Sequence, residues 1–121
     1  MKEDINVGSE FDINIFEPEK NVMNNFEKHI NGDKPVVVDF FAEWCGPCKM
    51  MPPVLKQVKE KMGDDTTILK MDIDKNPAYA SKYAVQAVPT LIIFQRGNIV
   101  WRKAGVTSAM EIIPQLKKLV S

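Results

Sequence analysis

Hydrophobic and polar residues alternate with two different periods along the chain, and together they predict strands separated by helices. Residues 11–15 place an apolar side chain at every second position, which is typical of a short, half-buried strand. From Pro18 the apolar residues recur at helical spacing, and Asn31-Gly32-Asp33 is expected to end this helix. Residues 35–42 then form a nearly unbroken apolar run rich in β-branched side chains, which favours a parallel strand buried on both faces.

The second half of the chain continues this alternation. Gly63 suits the end of one helix, and Asn76-Pro77 suits the capped start of another. Arg96-Gly97 indicates a hairpin turn, whereas Pro114 predicts a kink or a later start in the last helix, which the capping-box pair Ser108 and Glu111 introduces. The predicted elements are a helix over 47–62, a strand over 67–72, a short helix to about residue 83, strands over 91–95 and 98–104, and a helix reaching residue 120.

The order of these elements, β-α-β-α-β-α-β-β-α, predicts an α/β fold. Helical crossovers imply parallel strands, and the closing hairpin adds antiparallel ones, so we expect a central mixed β-sheet with helices on both faces. With 121 residues the chain has room for one domain, since single domains cluster at about 100–150 residues. We predict that residues 11–121 form this domain and that residues 1–10 are a flexible leader.

Charge and hydropathy narrow the possible functions. Sixteen basic residues balance sixteen acidic ones, which argues against nucleic acid or an anionic membrane as the main partner. No apolar run approaches the roughly 18 residues that a membrane span needs, and the start of the chain lacks the apolar stretch of a secretory signal. The sequence therefore predicts a soluble protein of the cytoplasm.

The segment Trp44-Cys45-Gly46-Pro47-Cys48-Lys49 lies where a buried strand ends and a helix begins. Two intervening residues keep the two sulfurs within bonding reach. The helix N-terminus offers unpaired N–H groups and the positive end of the helix dipole, both of which favour the nucleophilic thiolate of Cys45. Cys48, one turn into the helix, is expected to be more buried and to act as the resolving thiol.

A cysteine pair can also bind a metal ion or form a structural disulfide. A zinc site needs about four ligands, and the chain offers two cysteines and His29, so zinc is expected only as a bridge between two chains. A purely structural disulfide would close a very small loop, which stabilises little by the chain-entropy argument. The strand-to-helix context instead favours thiol–disulfide exchange.

Several further motifs accompany the cysteine pair along the chain. They are Asp39-Phe40, residues 42–49, Asp72-Ile73-Asp74, Asn76-Pro77, Tyr83, Val88-Pro89-Thr90, Phe94, Gly97 and Gly105. Together these motifs resemble the thioredoxin family over roughly residues 11–120. The resemblance implies the thioredoxin fold, with three α/β/α layers, and a protein-disulfide reductase that takes part in electron transport and cell redox homeostasis. Phe41 departs from the family pattern, which usually has tryptophan there; the loss of an indole donor is expected to retune the redox potential slightly.

The resemblance places Asp39 and Lys70 in the catalytic set with both cysteines. Asp39 would be a buried carboxylate behind them, and burial within a Val/Phe strand should raise its pKa so that it can exchange a proton with Cys48. The alternative is an aspartate at a strand end that faces water. Lys70 matches the lysine that partners this aspartate, and the alternative is an exposed strand lysine.

The resemblance also implies a substrate-binding set. Pro89 matches a cis-proline that leaves the Val88 backbone free to pair with an extended substrate, although without the resemblance a trans proline at a strand start would be expected. Trp44 would be a lid and contact surface, with core packing as the alternative, and Gly105 would allow close approach of the substrate. The set is Trp44, Gly46, Pro47, Val88, Pro89 and Gly105.

The implied reaction begins when the Cys45 thiolate attacks a disulfide of a protein substrate, and Cys48 then resolves the mixed disulfide. A flavin-dependent, NADPH-fed thioredoxin reductase would return the electrons. The chain itself is expected to bind no cofactor and no metal, and to act as a monomer. One rival is an oxidant or isomerase on the same fold, which the uncharged Gly46-Pro47 disfavours because a histidine there would stabilise the reduced form. The other is a noncatalytic subunit, against which both cysteines and Asp39 count.

Overall fold

The structure is a computed structural model that describes residues 26–120. The leader over 1–10, the strand predicted over 11–15 and the first part of the helix predicted from Pro18 lie outside these residues. Residues 26–30 are helical, and Phe26 and Ile30 are buried, as their helical spacing predicted.

The described residues contain four strands: β1 (Val36–Phe41), β2 (Thr67–Asp72), β3 (Thr90–Gln95) and β4 (Asn98–Ala104). They form one sheet in the order β2-β1-β3-β4. β1 pairs in parallel with β2 and antiparallel with β3, and β3 pairs antiparallel with β4. The predicted mixed sheet is therefore confirmed.

The position of each strand in the sheet explains its composition. Every residue of β3 is buried, and of β1 only Phe41 is partly exposed, because both strands have neighbours on each side and helices above and below. β4 lies at the edge of the sheet and is mostly exposed. Arg96 and Gly97 join β3 to β4 with φ of 53° and 82°, which are the left-handed conformations that a two-residue hairpin requires.

Besides the helical residues 26–30, the described range contains three α-helices and two 3₁₀ turns: α1 (Met51–Met62), α2 (Pro77–Lys82), α3 (Ala109–Val120), and 3₁₀ turns at Pro47–Met50 and Gly63–Asp65. The helix predicted from Pro47 thus begins as a 3₁₀ turn and becomes α-helical only at Met51. This start suits its prolines, because Pro47, Pro52 and Pro53 all lie in first turns, where a missing N–H costs little.

Two predicted helix starts differ in their capping. Asn76 precedes Pro77 as expected, but its side chain donates to the carbonyl of Asp72 at 3.1 Å and does not cap α2. Ser108 accepts the backbone N–H groups of Glu111 and Ile112 through its carbonyl at 3.1 and 3.2 Å, as expected for the residue before α3. The Glu111 carboxylate contacts the Lys103 ammonium on β4 instead of closing a capping box.

Pro114 lies inside α3, which runs uninterrupted from Ala109 to Val120. The expected later start of this helix is therefore wrong. Ile112 and Leu116 are fully buried on either side of Pro114, so packing of this face against the sheet holds the helix across the missing hydrogen bond.

The helices cover both faces of the sheet, which confirms the three-layer arrangement. On one face, here called the aromatic face, β1 and β3 meet the residue 26–30 segment and α2. Its buried members are Phe26, Ile30, Val36, Val38, Phe40, Leu69, Met71, Tyr79, Val85, Ile92 and Phe94, and the partly buried Tyr83 packs against them. On the other, here called the α1 face, they meet α1 and α3; its members are Val37, Met51, Leu55, Val58, Met62, Ile68, Leu91, Ile93, Ile112 and Leu116.

Candidate active site at the end of the central strand

Cys45 and Cys48 form a disulfide just beyond the carboxyl end of β1. Their Cα atoms lie 5.4 Å apart, so the predicted bonding reach of the pair is confirmed. A tight turn, in which the Cys45 N–H donates to the carbonyl of Ala42 at 3.1 Å, carries the chain from the strand to the 3₁₀ turn. Both sulfurs are thus positioned by short local structure anchored on the sheet.

The backbone around the pair points a donor at one sulfur. The Cys48 N–H donates to Cys45 Sγ at 3.1 Å, from the 3₁₀ turn that opens at Pro47. A negatively charged sulfur at this position would gain most from that donor, which favours Cys45 as the thiolate. The two cysteines are equally buried, at 4% and 5% exposure, so the expectation that Cys48 is the more buried one is wrong.

Cys45 is covered by the segment before β3, which explains its burial. The peptide bond between Val88 and Pro89 is cis, as the family resemblance implied. Cys45 Sγ lies 3.6 Å from the Val88 carbonyl oxygen. The N–H of Gly105 donates to the Pro89 carbonyl at 2.8 Å, and Gly105 has a φ of +96° that favours glycine. The structure therefore brings Val88, Pro89 and Gly105 to one side of the disulfide.

Trp44 lies on the surface beside the pair. Its side chain is 70% exposed, so the alternative of core packing is wrong. Its indole Nε1–H donates to Asp74 Oδ2 at 2.8 Å, and Asp74 lies in the turn after β2. That turn is fixed by Asp72, whose Oδ1 accepts the N–H groups of Asp74 and Lys75 at 2.8 and 3.2 Å.

Asp74 was not predicted as a site residue, although the Asp72-Ile73-Asp74 motif supported the family resemblance. The sequence signal for its role was the second carboxylate directly after a predicted strand end, where parallel strands place functional side chains. Gly46 and Pro47 occupy the positions expected of them, with Gly46 before the 3₁₀ turn and Pro47 as its first residue. Both are exposed, so the loop that joins the two cysteines lies at the surface.

Asp39 lies in the middle of β1 with no exposed surface. Neither carboxylate oxygen has a hydrogen-bond partner within residues 26–120. Burial raises the pKa of Asp39 to about 7, against the opposing effect of the positive charge of Lys70. The alternative of a strand-end aspartate that faces water is therefore wrong, and the expected direction of the pKa is confirmed.

Lys70 lies beside Asp39 on the neighbouring strand, because the two residues are register partners in the parallel pair of β1 and β2. It is partly exposed, and within the described part of the chain it forms no ion pair. Its ammonium lies 4.6 Å from the centroid of the Phe41 ring. Lys70 and Phe41 line a cavity of about 340 Å³, together with Ala42, Glu43, Cys48, Lys49 and Pro52.

Between residues 26 and 120, no group of three or more His, Cys, Asp or Glu side chains is arranged to hold a metal ion. In that range no helix combines the length and apolarity that crossing a bilayer requires. The group that the described site offers for redox chemistry is the Cys45–Cys48 disulfide, which can open and close reversibly.

Known proteins resemble this chain over most of its length. The family model described as Thioredoxin matches residues 17–118. A thioredoxin-like protein of Synechocystis sp. is 45% identical over 97 residues, which cover 79% of this chain and 92% of that protein. Thioredoxin of Alicyclobacillus acidocaldarius is 44% identical over 92 residues, covering 76% and 88%. Among solved structures, an N21Q mutant thioredoxin from Halobacterium salinarum has a TM-score of 0.73 at 30% identity and covers 88% of each chain.

Proposed function

This chain belongs to the thioredoxin family, and on that premise we propose that it reduces disulfides of other proteins in the cytoplasm and so serves cell redox homeostasis. Membership of the family and the Cys45–Cys48 disulfide make it a thiol–disulfide oxidoreductase. The observation that supports the proposed mechanism is the N–H of Cys48 directed at Cys45 Sγ at 3.1 Å, because such a donor favours a thiolate on Cys45 and so favours Cys45 as the attacking group.

The first step starts from the reduced protein. The Cys45 thiolate attacks one sulfur of a substrate disulfide, that disulfide breaks, and the departing substrate sulfur takes a proton. The substrate segment lies against Trp44 and the Val88-Pro89 backbone, with Gly105 leaving room beside it. Support for this surface comes from the exposed indole of Trp44 and from the 3.6 Å separation of Cys45 Sγ and the Val88 carbonyl oxygen.

In the second step Cys48 resolves the mixed disulfide. Its thiol loses a proton to the Asp39 carboxylate, and the Cys48 sulfur then attacks Cys45 Sγ, forming the internal disulfide and releasing the second substrate thiol. Over both steps the substrate gains two electrons from the two cysteines. It also gains two protons: one leaves Cys48 by way of Asp39 and passes to the second departing sulfur, and the other comes from water, because Cys45 begins as a thiolate. A carboxylate with a pKa of about 7 suits this role, because it accepts and releases a proton near neutral pH.

The direction of the reaction follows from the residues between the cysteines. Gly46 and Pro47 bring no positive charge to the reduced pair, so little stabilises the thiolate beyond the backbone N–H groups, and the dithiol remains a good electron donor. A flavin-dependent, NADPH-fed thioredoxin reductase would regenerate the dithiol. The proposal retains the expected monomeric state, which size-exclusion chromatography of the reduced protein tests.

The decisive experiment pairs two serine variants. Cys48→Ser should accumulate mixed disulfides with substrate proteins through Cys45, whereas Cys45→Ser should form none and lose reductase activity, because the nucleophile is gone. Non-reducing gels before and after dithiothreitol measure both. Reductase activity in Cys45→Ser at the wild-type rate would refute the mechanism.

The midpoint potential separates a reductant from an oxidant or isomerase. We expect a value near −270 mV, which is characteristic of thioredoxin, whereas about −180 to −120 mV belongs to isomerases and oxidants. Equilibration of the Cys45–Cys48 pair against a dithiol buffer gives the value. A potential in the higher range would assign the chain to disulfide formation.

A further inference from the structure

Asp39, Phe41 and Lys70 lie on one face of the sheet and are here called the electrostatic unit. Alternation along β1 places Asp39 and Phe41 on the α1 face, and register with Asp39 places Lys70 there too. The Lys70 ammonium lies 4.6 Å from the centroid of the Phe41 ring, within the distance at which a cation is attracted to an aromatic face. The aromatic ring is thus the group that the ammonium contacts, and the carboxylate of Asp39 is left without an ion-pair partner within residues 26–120.

This arrangement gives the ammonium an intermediate position. Lys70 is partly exposed, so water also solvates its ammonium. If the ammonium moved away from the cavity wall, it would be fully hydrated. A direct ion pair with Asp39 would instead hold the carboxylate ionised and make it a weak proton acceptor. At the Phe41 ring the positive charge still acts on Asp39 but does not neutralise it.

We propose that Phe41 is a positioning residue for the resolving step: its ring holds the Lys70 ammonium beside the cavity, where the positive charge acts on Asp39, and keeps the ammonium from moving into water. The proposal rests on the proposed function, since it assigns the unit a part in moving the Cys48 proton. Cys48 lines the same cavity as Phe41 and Lys70, which connects the unit to the reacting thiol.

Other charged groups near Asp39 are few among the described residues. Glu43 and Lys49 line the same cavity, and both are exposed; the Lys49 ammonium donates to the Glu43 carbonyl at 3.3 Å. From β3, the register partner of Asp39 is the apolar Leu91. α1 and α3 contribute the apolar members of the α1 face to the layer above it. Besides burial, which raises the pKa of Asp39, the positive charge of Lys70 acts on this carboxyl and lowers its pKa.

The test is the titration of Asp39 in the oxidised protein, followed by NMR of its carboxyl carbon. In this form the cysteines carry no titrating proton, so Asp39 titrates without coupling to them. Phe41→Leu removes the aromatic face and keeps an apolar side chain. We expect the pKa of Asp39 to rise by roughly half a unit, because the ammonium moves into water, and by no more than Lys70→Met causes. Phe41→Trp, which restores an aromatic face, should leave the pKa close to the wild-type value.

The double variant separates positioning from packing. In a Lys70→Met background, Phe41→Leu should not shift the pKa of Asp39, because no ammonium remains to be positioned. The proposal would be overturned if Phe41→Leu shifted the pKa of Asp39 equally in the Lys70→Met background. It would also be overturned if, with Lys70 present, Phe41→Leu left that pKa unchanged or lowered it, or if Phe41→Trp shifted it as much as Phe41→Leu. The titration requires no activity, so a wild-type protein that failed to reduce disulfides would refute the proposed function and leave this test intact. If reduction proceeds and Phe41→Leu raises the pKa, the resolving step of that variant should show the same displacement in its pH profile.

Discussion

The two faces of β1 meet different surroundings, although their residues alternate along one short strand. Val36, Val38 and Phe40 point into the aromatic face, which is apolar throughout the strand's length. Val37, Asp39 and Phe41 point to the α1 face, where the Asp39 carboxylate is buried and receives no hydrogen bond from any residue between 26 and 120. One face therefore stabilises the fold, and the other includes a group that costs stability and that accepts a proton in the proposed mechanism.

The aromatic face shows how that cost is offset. The ring centroids of Phe26 and Tyr79 lie 4.6 Å apart, and those of Tyr83 and Phe94 lie 5.0 Å apart at an interplanar angle of 70°. Each such pair contributes about 0.5–1.5 kcal/mol beyond the burial of its area. Phe40 joins the cluster through Tyr83 at 6.3 Å. Because this packing is independent of pH and of the cysteines, a change there should alter stability and leave the redox properties as they are.

Phe40→Ala should have the largest effect on stability. The side chain is fully buried, and replacing a buried phenylalanine by alanine costs about 3–5 kcal/mol through lost burial and the cavity that remains. Urea unfolding monitored by circular dichroism measures the loss, which should be the same at pH 5 and pH 8. The midpoint potential of the Cys45–Cys48 pair should not change.

Phe40→Leu serves as the milder control should the alanine variant fail to fold. It retains most of the apolar volume, so we expect the same pattern at about 1–2 kcal/mol. A shift of the midpoint potential in either variant would mean that the two faces are coupled, and the separation of stability from chemistry would be lost.

Asp39→Asn should have the next largest effect, and in the opposite direction. The pKa of Asp39 is about 7 in the folded protein against an ordinary value of 3.8, so the folded state binds this proton more tightly. Stability is therefore full below about pH 4 and falls as the pH rises through 7, by about 4 kcal/mol in all. The asparagine variant removes the titrating group. It should lack this decline and be more stable than the wild type at pH 8, as denaturant unfolding from pH 4 to 8 would measure.

Asp74→Asn is the matched control, because Asp74 is an exposed carboxylate two residues after the end of β2. It should keep the wild-type decline in stability between pH 4 and 8. A decline that persisted unchanged in Asp39→Asn would show that Asp39 is not the group responsible, and the contrast between the two faces of β1 would then have no energetic basis.

The sequence predicted part of the contrast between the two faces of β1. An apolar run broken by a single aspartate predicted both a strand buried on two faces and a carboxylate with a raised pKa, because periodicity and burial are local consequences of composition. The bounds of β2 and β4 also followed from periodicity and the turn at Arg96-Gly97. The cis peptide bond before Pro89 came only from the family resemblance, since a trans proline is the ordinary expectation for a strand start.

Contacts between distant residues were not predicted. The hydrogen bond from Trp44 to Asp74 joins residues 30 positions apart, and nothing in either local pattern indicates it. The Lys70 ammonium over the Phe41 ring depends on register between strands 26 or more residues apart, and the sequence suggested only that Phe41 removes an indole donor. Equal burial of the two cysteines depends on Val88 covering Cys45, which requires β3 to lie beside β1.

Trp44→Ala should have the smallest effect on stability and extends the comparison to the rim of the site. The side chain is 70% exposed, so its removal should change the free energy of unfolding by no more than about 0.5 kcal/mol. Aromatic contact surfaces nevertheless contribute strongly to binding, and kcat/KM for a protein disulfide should fall about 10-fold, the equivalent of about 1.4 kcal/mol. Ile99→Ala, at an exposed apolar residue of β4, is the control and should leave kcat/KM unchanged. Equal losses of kcat/KM in both variants would mean that the substrate binds to exposed apolar surface in general. A loss of kcat/KM confined to Trp44→Ala would show that Trp44, which contributes little to stability, serves substrate recognition.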